Sequence, residues 1–150
     1  MEHVNIHTIG FTKKTAEHFF NALKKNSVIR VIDTRLNNNS QLSGFAKAKD
    51  LEFFLRKICN IDYVYRSELA PTKKILDDYK NKNITWEQYS YEYLNLMEQR
   101  LISSKLSSVD VDNGCLLCSE DKPHNCHRRL LAEYLKQQWL NQKTDINHIL

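Results

Sequence analysis

Glycine and proline are scarce: three and two in 150 residues. With so little turn-forming material, no linker-like stretch and no internal repeat, residues 1–150 are expected to form a single domain. Long apolar runs are missing too. None approaches the ~18 residues that a membrane-spanning helix needs, so no membrane partner is expected. The opening stretch MEHVNIHTIG has no basic segment followed by an apolar one, and without a visible secretory signal a cytoplasmic location is expected. A charge excess of one sign is also lacking. Lys and Arg total 22 against 18 Asp and Glu, too even a balance and too spread a pattern for a DNA-binding stripe, although a local convergence of positive charge still suits an anionic ligand. Four cysteines in a chain with no signal suggest reduced thiols rather than a disulfide framework. A chain of this length buries a core without needing a structural metal.

What is present alternates between strand and helix patterns. HVNIHTIG alternates Val4, Ile6 and Thr8 and closes on Gly10, which reads as a strand and turn. In TAEHFFNALKKN, residues Ala16, Phe19, Phe20 and Leu23 share one helical face, with Thr15 or Thr12 as cap. VIRVID is a short β-branched run suited to a strand buried on both faces. A polar stretch, RLNNNSQLSG, leads to a helix over FAKAKDLEFFLRKI with Leu51, Phe54, Leu55 and Ile58 as its stripe. IDYVYR reads as a third strand. Pro71 suits the first turn of a helix through TKKILDDYKN. Thr85 and Gln88 have capping-box spacing for another helix running to about Leu106. GCLLCS is a further buried strand, followed by a helix in CHRRLLAEYLKQQWL whose Leu130, Leu131, Tyr134, Leu135 and Gln138 lie on one side. The tail DINHIL suits a last strand.

Strands alternating with helices imply an α/β fold, a compact Rossmann-like three-layer domain with a mostly parallel sheet. Ligands of such sheets bind beyond the carboxyl ends of the strands. Four loops are expected to meet there: Gly10 to Lys14, Asp33 to Gly44, Ser67 to Pro71, and Ser119 to Asn125.

The segment CLLCSEDKPHNCHRRLLAEYL concentrates the chemistry. With Asn125 as N-cap, Cys126, His127 and Arg128 occupy the first turn of a helix, whose free N–H groups and dipole make that end electropositive. Arg128 and Arg129 add to this charge, at a cost of up to ~1 kcal/mol each unless an anion is present. A phosphate or carboxylate there would be held by backbone donors and arginines together. The alternative is an ion pair with Glu120, Asp121 or Glu133. Cys126, beside His127 and the arginines, is placed to have a lowered pKa and act as a nucleophile, or else is a packed thiol. Cys118, at the end of the preceding strand, is placed to face it, whereas Cys115 and Cys59 read as core. Cys115, Cys118, Cys126 and His127 formally make a zinc set. Cys115 and Cys118 point to opposite faces of a strand, however, and adjacent Cys126 and His127 diverge on a helix, so no metal is expected. In IDTR, Asp33 and Arg35 stand at the end of a buried strand. They form either a structural ion pair or a proton-handling carboxylate beside an anion clamp, with Glu120 as a second carboxylate.

TIG at residues 8–10, VIDTR at 31–35, SELAPTKK at 67–74 and LLCSEDKPHNCHRRLLAEYL at 116–135 together resemble the domain of unknown function 488 family. That family opens with TIG followed by His or Tyr, continues to VDVR and ends in a CAE…CHR block. The resemblance spans nearly the whole chain and implies a Rossmann-like domain whose characteristic positions are Asp33, Arg35, Cys118, Glu120, Cys126, His127, Arg128 and Arg129. Phe11 replaces the His or Tyr after TIG, removing a polar group from the site, and Thr34 replaces a small apolar residue. Some family members carry a DNA-repair association.

The leading expectation is an enzyme-like domain that binds a phosphate-bearing small molecule or nucleic-acid end. Arg35, Arg128, Arg129 and His127 hold the anion, Asp33 and Glu120 handle protons in hydrolysis or group transfer, and Cys118 or Cys126 lines the site. No particular cofactor is implied. A second reading is rhodanese-like thiol chemistry at Cys126 or Cys118, although a CxxxxxR cradle starting at Cys118 would need arginine where His124 stands. A third is a noncatalytic sensing or partner-binding module. The loop over residues 35–44 is expected to act as a lid.

Overall fold

The computed structural model describes residues 2–39 and 44–150. Five strands form one sheet: β1 (Glu2–Gly10), β2 (Arg30–Asp33), β3 (Asp62–Tyr65), β4 (Gly114–Cys118) and β5 (Gln142–His148). Their order across the sheet is β3-β2-β4-β1-β5, and every pairing is parallel. All the strands therefore end at the same edge, as the alternation of elements implies.

Period-two alternation divides each strand between two cores. Val31, Cys115, Leu117 and Ile9 face α1 (Ala16–Lys25) and α2 (Ala48–Phe54), meeting Phe19, Phe20, Leu23, Leu51 and Leu55. On the other face, Val4, Ile6, Ile32 and Leu116 pack beneath α4 (Trp86–Gln99) and α7 (His127–Gln138), against Tyr93, Met97, Leu131 and Leu135. Three short helices complete this second layer: α3 (Lys73–Lys80), α5 (Ile102–Lys105) and α6 (Ser108–Val111). The result is the expected three-layer α/β domain. The chain leaves β1 and β2 toward the α1/α2 face but leaves β4, which lies between them, toward the α7 face. A crevice opens where the directions diverge.

Local chemistry explains the helix boundaries. Thr15 caps α1 by accepting from the His18 N–H, and Thr85 with Gln88 forms the expected capping box on α4. Four expectations are corrected. The helix expected to open at Pro71 is capped by Thr72, whose hydroxyl accepts from the Ile75 N–H, so Pro71 precedes the cap. The α4 helix stops at Gln99 rather than near Leu106, because Leu101 takes a left-handed conformation (φ 56°) and starts the separate turn of α5. The second helix loosens into a π turn over Leu55–Cys59, which rotates Ile58 out of the stripe to 49% exposure. Cys126, not Asn125, is the N-cap of α7. The expected lid over residues 35–44 falls partly on residues 40–43, outside the described residues. None of the described helices is long and apolar enough to cross a membrane.

Candidate functional site

All four expected loops reach one cavity of about 510 Å³ at the carboxyl edge of the sheet. Phe11 follows β1, Arg35 and Leu36 follow β2, Pro71 follows β3, and Ser119 and Glu120 follow β4; Asn125, Cys126 and His127 close it at the start of α7. Lys80, Lys82 and Tyr89 from the α3–α4 region form the outer wall.

Asp33 and Arg35 make a fork-to-fork pair two residues apart. The Arg35 Nε and Nη2 each donate to an Asp33 carboxylate oxygen at 2.8 Å, and the Tyr63 hydroxyl donates to Oδ2 at 2.5 Å. Burial, then Asp33 itself, raises the Tyr63 pKa, so the phenol stays a donor. Asp33 is wholly buried beneath this network and does not line the cavity, whereas Arg35 does. The guanidinium lies over the Phe11 ring, 5.2 Å from its centroid. Phe11 thus supports the arginine with its π face. Arg35 Nη1 is buried and has no hydrogen-bond partner among the described residues.

Arg128 turns inward instead of outward. It is fully buried, donating from Nε to Thr8 Oγ1 (3.3 Å) and from Nη1 and Nη2 to the carbonyls of Glu120 (2.5 Å) and Asp121 (3.3 Å). Nη1 also reaches the sulfurs of Cys118 at 3.1 Å and Cys126 at 3.7 Å. Burial lowers its pKa to about 10, still well above neutrality. The approach depends on Gly10, because a Cβ there would overlap the Glu120 carbonyl oxygen. Arg129 points the other way, pairing with Glu133 at 3.2 Å and the His124 carbonyl at 2.5 Å. Neither arginine lines the cavity.

Cys118 ends β4 on the face opposite Cys115, and its sulfur is paired with that of Cys126 as a disulfide, which corrects the expectation of reduced thiols. The strand end and the extended N-cap bring the two sulfurs together, and Cys59 and Cys115 are the free cysteines among the described residues. Cys115 is buried in the α1/α2 core, where desolvation raises its pKa. Cys126 has extended backbone, φ −134° and ψ 141°. The divergence expected of two successive helical residues is therefore absent, and Cys126 and His127 converge: ligand atoms of Cys118, Cys126 and His127 all lie within 4.8 Å of one another. His127 Nε2 lies 2.8 Å from the Thr34 carbonyl oxygen, which only accepts, so this nitrogen carries the hydrogen. Burial lowers the His127 pKa to about 4, with a further lowering by Arg128, and the imidazole is neutral at physiological pH.

The chain matches the family described as Domain of unknown function DUF488 over residues 15–135. It belongs to that family. No match was found among curated proteins or among solved structures. The DUF488 match covers α1 through most of α7, and so contains every wall of the cavity except Phe11.

Of the positions singled out in the sequence, the cavity gathers Arg35, Cys118, Glu120, Cys126 and His127; Asp33 and Arg128 lie behind it, and Arg129 lies outside it. Tyr63, Thr34 and Thr8 escaped notice as supports. Thr8 and Thr34 have one visible signal, a hydroxyl near or just past the carboxyl end of a strand; Tyr63, second in β3, has none.

Proposed function

We propose that this DUF488 chain binds a phosphate-bearing ligand, a nucleotide or a nucleic-acid end, and acts on it by hydrolysis or group transfer. The observation that carries this reading is Arg35 Nη1. Two of the guanidinium nitrogens are fixed by Asp33, and the third is a buried donor without a partner among the described residues, in a residue that lines the cavity. A buried unpaired donor costs about 1–3 kcal/mol, more for a charged group, and an anion entering the cavity would offset that cost. The α7 N-terminus opens on the same space and adds its dipole, and Lys80 and Lys82 add charge at the wall. Glu120 lines the cavity and is the carboxylate positioned to exchange protons with a ligand, while Asp33 orients Arg35.

Thermal unfolding with inorganic phosphate, nucleoside mono- and triphosphates and a 5′-phosphorylated oligonucleotide tests this reading. Ligand at 100 times its Kd should add about 2.7 kcal/mol of stability. The Lys80→Ala/Lys82→Ala variant should lose most of that gain with its ligand-free stability unchanged. No shift with any of these anions would refute the proposal.

A second reading, thiol chemistry in the reduced protein, draws on Arg128 Nη1 beside both sulfurs, since a buried cation favours the thiolate once the Cys118–Cys126 pair is opened. Alkylation rates of Cys118 and Cys126 against pH, with and without phosphate, test it. Reactivity that persists well below the ordinary thiol pKa of about 8.5 supports a nucleophile; slow, unshifted reaction removes it.

A further inference from the structure

Three potential ligands come together at the floor of the cavity by an unusual local route. Cys118 arrives from the end of β4, Cys126 from an extended N-cap, and His127 from the first helical residue. Because the backbone changes conformation between Cys126 and His127, neighbours in sequence present their ligand atoms to a common point, within 4.8 Å of each other and of Cys118.

We infer that Cys118, Cys126 and His127 form a binding site for a thiophilic divalent cation, with Zn²⁺ the best fit. Two thiolates and a neutral imidazole make up the protein ligands, and the fourth position opens onto the cavity. Three observations support this independently of any anion binding.

The first is the orientation of His127. Its Nε2 hydrogen goes to the Thr34 carbonyl, so the lone pair is on Nδ1, and no described residue donates a hydrogen bond to it. Metal-binding histidines are held in this way, one ring N–H on a carbonyl and the other nitrogen free.

The second is the spacing of the cysteines. Their Cα atoms stand 7.7 Å apart, beyond the ~4.4–6.8 Å that disulfides usually span. The sulfurs themselves are in bonding contact, so the site forms in the reduced protein, where the thiolates part to admit an ion between them, and the wide Cα separation leaves room for that.

The third is the chemical character of the set. Two sulfurs and one imidazole, with no carboxylate among them, select zinc-like ions over Mg²⁺ or Ca²⁺, which demand oxygen. Arg128 Nη1 donates to the sulfurs from behind, as outer partners of metal-bound thiolates do. An external thiol or phosphine first reduces the Cys118–Cys126 pair to two thiols and is itself oxidised; loading the reduced site then releases two thiol protons to solvent with no further change of oxidation state. Three protein ligands with an open fourth position is the pattern of catalytic rather than structural zinc.

The test is an anaerobic Co²⁺ titration of the full chain, reduced with a phosphine and free of phosphate. The expected result is one Co²⁺ per chain with a sulfur-to-cobalt charge-transfer band and tetrahedral d–d absorption, both lost on adding Zn²⁺. Cys118→Ser and Cys126→Ser should each weaken or abolish the charge-transfer band. His127→Asn should keep that band with altered d–d absorption, and Cys59→Ser should behave as the parent. A folded, reduced parent protein that shows no charge-transfer band overturns the inference, even if the serine variants do not fold. So does a band that persists in a folded Cys118→Ser/Cys126→Ser variant. Because no phosphate or nucleotide is present, neither outcome bears on the anion proposal.

Discussion

The Thr34 hydroxyl donates to the Leu117 carbonyl at 2.8 Å and lies 3.0 Å from His127 Nε2. One side chain at the end of β2 thereby ties β4 to the first residue of α7. Thr34→Val keeps the shape and removes the hydroxyl. It should cost about 0.5–1.5 kcal/mol in urea unfolding, since the Leu117 carbonyl loses one of two donors and keeps the Thr34 backbone N–H at 3.0 Å. The imidazole keeps its bond to the backbone carbonyl of residue 34, so the His127 ring nitrogens should retain their tautomer in ¹⁵N NMR spectra.

Arg128 holds two loop carbonyls and the Thr8 hydroxyl together in a fully buried position. Arg128→Met should therefore destabilise the fold by about 3–5 kcal/mol, as several buried acceptors lose their partner at once. A urea midpoint unchanged from the parent would show that these bonds contribute little. By contrast, Arg129→Met, which removes a half-exposed i,i+4 pair with Glu133 and a bond to the His124 carbonyl, should cost no more than about 1 kcal/mol.

Gly10 is required by proximity rather than by backbone conformation. Gly10→Ala pushes the Glu120 carbonyl away from β1 and disturbs Arg128 at the same point. Overpacking of this kind costs about 1–3 kcal/mol. Beyond the shift in melting temperature, hydrogen exchange should quicken in residues 119–125.

Acid should weaken the fold through His7 and His148. Burial is the leading cause lowering both pKa values; at His7 the Asp112 carboxylate partly opposes it, and at His148 Arg128 reinforces it. Their partners, the Asn147 amide at His7 Nδ1 and the Thr8 hydroxyl at His148 Nδ1, suit neutral rings. Both folded pKa values lie below the unfolded value of about 6.5, so the unfolded chain binds more protons beneath that pH. The stabilisation is complete above about pH 6.5 and is lost as pH falls through the lower folded values. A His7→Gln/His148→Gln variant should show a shallower fall in its urea midpoint between about pH 7 and 5 than the parent. An equal slope would assign the acid sensitivity elsewhere.

The sheet was legible because its signals are local. The β-branched run ending at Asp33, the apolar run ending at Cys118 and the Thr85–Gln88 cap each depend on residues within a few positions. The convergence of four loops followed from parallel topology alone. What escaped detection depends on contacts distant in sequence. Whether Arg128 faces a ligand or the interior is decided by Thr8, 120 residues away. Whether Cys126 and His127 diverge turns on a boundary one residue from where Asn125 seemed to set it. The left-handed Leu101 and the π turn after Phe54 carry no glycine or proline to announce them.

The order of the strands governs when this protein can assemble during synthesis. Of the five strands β1 is made first, yet its two neighbours, β4 and β5, are the last two. Until residues 114–148 leave the ribosome, both hydrogen-bonding edges of β1 lack their native partners, and the segment has the character of an aggregation-prone strand. A nascent chain stalled anywhere before β4 thus lacks more than the cavity floor. It carries an unclosed template at its leading end, and its dependence on chaperones should rise with the length of the pause.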